Sequence, residues 1–102
     1  MFTQTKTPFE LYGAEIGQGW IPLVTELLDK LKSIGWDGNI LQIKEKFGGL
    51  RFYIDTGSDR AFDLIDEYEN KSFSICEICG DPGKLIGHGW LMTRCEKHAR
   101  DT

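Results

Sequence analysis

The chain has 102 residues, of which 40% are apolar and 27% charged, a balance that excludes wholesale disorder and leaves room for one small domain. Its net charge of −4 argues against broad, non-specific attraction to nucleic acid or anionic lipid. No run approaches the roughly 20 apolar residues of a membrane span. Residues 1–6 carry no charged segment leading into an apolar one, so the sequence reads as cytoplasmic, with no membrane partner.

Residues 1–19 read as an irregular leader, broken by Pro8, Gly13, Gly17 and Gly19, whose apolar Phe9, Leu11, Tyr12 and Ile16 suit a covering arm. Gly13-Ala-Glu-Ile-Gly-Gln-Gly-Trp20 looks only superficially like a phosphate loop, because it lacks G-x-G-x-x-G and no strand precedes it. From residue 20 to 34 the pattern becomes helical. Trp20, Leu23, Val24, Leu27, Leu28, Leu31 and Ile34 recur at three- and four-residue steps, Pro22 suits the first turn and Gly35 a left-handed stop.

Two alternating runs, 40–47 and 50–54, flank Gly48-Gly49, which predicts a hairpin with those glycines as its two-residue turn. That register pairs Phe47 with Leu50, Glu45 with Phe52 and Ile43 with Ile54, and sets Lys46 opposite Arg51. Lys44, Lys46, Arg51 and Tyr53 then share the outer face, a candidate partner-binding surface; lysines on an edge hairpin also discourage aggregation. Glu45 falls on the apolar face and needs a partner there. A second helix is predicted from a Ser58 cap to about Lys71, with Ala61, Leu64, Ile65 and Tyr68 buried and the acidic stretch 63–69 facing solvent.

The last third is rich in glycine and poor in apolar residues, so it needs a staple. Cys76-Glu-Ile-Cys79-Gly80 and Cys95-Glu-Lys-His98, fifteen residues apart, supply one. A two-residue gap lets a tight turn aim two ligands at one tetrahedral ion, and two such pairs close a structural Zn²⁺ shell at Cys76, Cys79, Cys95 and His98. The order knuckle, loose hairpin around His88-Gly89, then helical turn resembles a treble-clef finger. His88 is the competing fourth ligand, but it lacks the paired spacing. A closed shell leaves no open coordination position, and the sequence holds no H-E-x-x-H, His-x-Glu deaminase, Walker-A or G-x-S-x-G string.

Gly13-Ala-Glu-Ile-Gly-Gln-Gly-Trp20, Lys44-Glu-Lys-Phe-Gly-Gly-Leu-Arg-Phe-Tyr53, Cys76-Glu-Ile-Cys-Gly-Asp-Pro-Gly83 and Trp90-Leu-Met-Thr-Arg-Cys-Glu-Lys-His98 together resemble a group of small zinc-finger-like proteins of phages and prophages. That group often carries a cysteine where Ile16 stands here, so any role of that cysteine does not carry over. The four metal-ligand positions do match. The resemblance implies a bacterial cytoplasm and a phage accessory role.

The expectation is a single α+β domain: leader 1–19, helix–hairpin–helix core 20–74 and zinc-stapled tail 75–102. Its expected function is non-enzymatic, binding a bacterial protein complex such as a host defence system. A nucleic-acid binder using the Lys44/Lys46/Arg51 face with Lys84, Arg94, Lys97 and Arg100 is the alternative, and a small finger-based nuclease the third reading.

Overall fold

Trp20 closes a single 3₁₀ turn, Gln18–Trp20, and delivers the chain into helix α1, Ile21–Ser33, with Pro22 in its first turn and Lys30 and Lys32 in its last. The computed structural model describes residues 16–87 and 89–99. Leu23, Val24, Leu27, Leu28 and Leu31 form the buried stripe of α1 as their spacing requires, and Gly35 ends it at φ 91°. The chain is α+β: a helix, an antiparallel hairpin (β1 Ile40–Lys46, β2 Gly49–Ile54), helix α2 (Asp59–Ser72) and a small C-terminal unit. That unit comprises β3 (Lys84–Ile86), β4 (Met92–Arg94) and the short helix α3 (Glu96–Ala99). No helix among the described residues is long and apolar enough to cross a membrane.

The hairpin corrects the sequence reading. Its turn residues are Phe47 and Gly48, at φ 54° and 82°, and Gly49 begins β2. The register is therefore Ile43 with Phe52, Lys44 with Arg51, Glu45 with Leu50 and Lys46 with Gly49. Phe47 does not pair with Leu50, and Arg51 faces Lys44 rather than Lys46. The reason is steric and lies outside the hairpin. A side chain at Gly49 would meet the Phe73 ring at 2.3 Å, and one at Gly48 would meet Leu85 Cδ1 at 2.4 Å and the Met92 nitrogen at 3.1 Å. These close contacts, with the Leu50 N–H bond to Ser72, hold the hairpin in the register in which the turn lies one residue toward the N-terminus. Glu45 answers its burial locally, accepting from the Gly48 N–H at 2.7 Å.

Helix α2 starts where Ser58 accepts the Ala61 N–H at 3.2 Å. It packs against both β2 and α1, burying Ala61, Ile65 and Tyr68. Two of its polar side chains also close the sheet edge. Leu50 N–H donates to Ser72 Oγ and Phe52 N–H to Glu69 Oε2, both at 2.8 Å. These are the β2 amides that point away from β1, so the helix supplies the acceptors a third strand would. Glu69 thus departs from the solvent-facing role expected of the acidic stretch. The core runs from Ile16 through the α1 stripe, Ile43, Leu50, Phe52 and Ile54 to Tyr68. Of the leader's covering arm, Ile16 is buried in that core, while Phe9, Leu11 and Tyr12 lie outside the described residues.

Candidate metal centre

Residues 76–80 fold as a knuckle because three backbone bonds pin it. Gly80 N–H donates to Cys76 O, Cys76 N–H to Asp81 O and Glu77 N–H to Thr93 O, at 2.9, 2.8 and 3.0 Å. Gly80 takes φ 86°, the left-handed geometry that lets the backbone turn back over the sulfurs. Cys95 sits just before α3 and His98 within it, so one helical turn presents both. The knuckle, the β3–β4 hairpin and α3 follow one another in treble-clef order.

These elements bring Cys76, Cys79, Cys95 and His98 together, with ligand atoms all within 4.8 Å of one another. Cys79 Sγ lies 3.7 Å from Cys95 Sγ, and His98 Nδ1 lies 3.6 Å from Cys76 Sγ and 3.2 Å from Cys95 Sγ. A tetrahedral ion with zinc-length bonds separates two sulfurs by about 3.8 Å and a sulfur from a nitrogen by about 3.5 Å. Cys79–Cys95 and Cys76–His98 lie close to those values and Cys95–His98 is shorter, so with small side-chain adjustments the site can hold one four-coordinate ion. Among the described residues His98 supplies the fourth ligand atom, while His88 lies outside them.

Electrostatics point the same way. Burial opposes ionisation of Cys76, yet the N–H groups of Cys95, Cys79 and Ile78 aimed at its sulfur outweigh that and lower the thiol to about 6. At Cys79 the Asp81 N–H favours the thiolate, but desolvation and the neighbouring sulfurs of Cys76 and Cys95 push it up to about 11. One thiolate forms readily and the next is resisted by it. A cation among the three sulfurs removes that conflict.

The residues that hold the centre against the core escaped the sequence reading. Gly19 N–H donates to Glu77 O at 2.9 Å and Trp20 Nε1 to Ile75 O at 2.8 Å. Cβ atoms at Gly17 and Gly19 would fall 2.0 Å from the carbonyl oxygens of Glu77 and Cys76. Gly17 and Gly19 thus serve as docking points for the knuckle. A second clamp joins Thr93 Oγ1 to Gly48 O at 2.6 Å. Glu77 braces β4, accepting from Thr93 N–H at 3.1 Å and lying 3.7 Å from Arg94 Nε. The paired glycines before Trp20 were the available signal, since close backbone approach is one of the uses of glycine.

The other candidate residues lie on the core hairpin. Lys44 and Arg51 are direct cross-strand neighbours, Tyr53 is half-exposed opposite Gln42, and Lys46 reaches over the Phe47 ring. Lys84 and Arg94 pair across β3 and β4, where Arg94 is engaged with Glu77. Lys97 lies on α3, and Arg100 is outside the described residues. Compared with known proteins, the chain matches no family model, no curated protein and no solved structure.

Proposed function

We propose that the chain is a zinc-stapled, non-catalytic module that binds another protein through the Lys44, Lys46, Arg51 and Tyr53 face. The observation that carries this reading is the completed ligand shell. Three sulfurs and one imidazole nitrogen, all within 4.8 Å of one another, are enough to fill the four positions of a tetrahedral ion, and a thiolate-rich set of this kind suits zinc. A structural ion then fixes the finger, and the finger's contacts with Gly48 fix the hairpin that displays the basic face. The resemblance to phage and prophage proteins fits a factor acting in a bacterial cytoplasm on a host complex such as a defence system.

The purified protein is expected to contain one zinc per chain by elemental analysis, and Cys79→Ser to contain none. A bacterial protein captured from nuclease-treated lysate is expected to be retained by the wild type and lost by the combined K44E, K46E and R51E variant. Tight binding to purified DNA with a log–log salt slope of about −3, one counterion per phosphate contact, would replace this reading with the nucleic-acid one.

A further inference from the structure

Phe47 occupies the most unusual backbone position among the described residues. It is the one non-glycine residue there at positive φ, 54°, and its side chain is 61% exposed. Two-residue hairpin turns of this kind favour Asn-Gly, because asparagine tolerates the left-handed region and phenylalanine does not. The strain is held from outside. Glu45 carboxylate and Thr93 hydroxyl grip the N–H and C=O of Gly48, and Phe73 covers Gly49. An exposed aromatic in a strained turn serves no packing purpose that a glycine or asparagine would not serve better.

We propose that Phe47 is the apolar anchor of the basic face, inserting into an acidic segment of a different protein. This rests on the protein-binding reading above and adds the anchor and the chemistry of the partner. Lys46 Nζ lies 5.5 Å from the Phe47 ring centroid, which steadies both side chains. Lys44, Lys46 and Arg51 make no close ion pair among the described residues; Lys46 lies beside the ring, Lys44 and Arg51 pair further along the hairpin, and Arg51 acts on Glu69 only at longer range. An aromatic anchor at the tip of a hairpin that carries three cations fits a segment with an apolar residue or pocket flanked by aspartate and glutamate. A second copy meeting the same patch across a two-fold axis would bring the three cations against themselves, which disfavours that occupant.

The test separates fold from recognition. Phe47→Asn is expected to keep zinc, raise the unfolding temperature by a few degrees and weaken binding by at least about tenfold. Binding is read with peptides selected on the zinc-loaded wild type from a random dodecapeptide library, which are expected to combine acidic and apolar residues. Phe47→Trp is expected to retain them. Selected peptides lacking acidic residues, or binding Phe47→Asn as well as wild type, would overturn the inference. So would a lowered unfolding temperature in Phe47→Asn, displacement of the peptides by oligothymidine, or a wild-type dimer in sedimentation that Phe47→Asn abolishes. Peptides lost by K44E/K46E/R51E but kept by Phe47→Asn would remove the anchor and leave the basic face standing. Peptides kept by both variants would remove both.

Discussion

At the scale of single residues, the glycines carry as much of the site as the cysteines do. Gly19 lies so close to the knuckle that a Cβ would meet Cys76 O at 2.0 Å and Gly80 N at 2.6 Å, both backbone atoms that cannot step aside. Gly19→Ala is therefore expected to push the knuckle off the 3₁₀ turn and break the Gly19–Glu77 bond, costing at least about 2 kcal/mol. Gly38 makes the control. It sits at φ +90° with nothing within 4 Å of a built Cβ, so Gly38→Ala is expected to cost only about 1 kcal/mol of backbone strain. Urea unfolding of the zinc-loaded variants measures the difference, and equal losses would show that the close approach carries no load. The metal ligands themselves were legible because their spacing is a property of the chain alone. The docking glycines were not, since what each one meets lies some sixty residues away in sequence.

At the scale of elements, the same contrast separates helices from hairpin. Both helices lie where their apolar periodicity placed them, and Ser58 caps α2 as its position suggested. The hairpin's existence was equally legible, but its register was not: local turn chemistry favours Gly48-Gly49, and contacts with Phe73, Leu85 and Met92 override it. Helix α2 adds a second long-range device, the sealing of the β2 edge by Glu69 and Ser72. Desolvation beneath the helix raises the Glu69 carboxyl above its ordinary value, against the opposing pull of Phe52 N–H and Arg51. The native state then holds this proton at pH values where the unfolded chain has released it, so stability from this group falls as pH rises through that window. Glu69→Gln keeps an acceptor for Phe52 and is expected to be more stable than wild type at neutral pH, the gain shrinking as acid protonates Glu69. Glu69→Ala orphans that N–H and is expected to lose about 1–3 kcal/mol. Unfolding midpoints between about pH 4 and 7 decide it. A Glu69→Gln advantage that grows toward low pH would contradict the assignment.

At the scale of the molecule, apolar burial serves one part of the chain and the metal-competent Cys₃His cluster the other. The fully apolar core is drawn from residues 16–68, with Ile75 packing at its margin, whereas the buried residues beyond it are Ser72, Cys76, Thr93 and Cys95. Among its described residues the finger thus has no apolar core of its own. A structural zinc contributes on the order of 10 kcal/mol of apparent binding free energy in small fingers, more than the remaining contacts of such a segment supply. Chelation is expected to release residues 75–99 while the helix–hairpin–helix part stays folded on its own buried cluster. Hydrogen exchange resolves this amide by amide. Gly19 N–H, bonded to Glu77 O, is expected to lose protection with the metal, as is Glu77 N–H, bonded to Thr93 O. Leu27 and Phe52, completely or almost completely buried and held by α1 and by Glu69, are expected to keep theirs. Trp20 provides an optical readout, since its indole N–H bonds to Ile75 O and its ring is fully buried. If Leu27 and Phe52 exchange as fast as Gly19 after chelation, the core cannot stand without the finger, and zinc holds the whole chain rather than its last third.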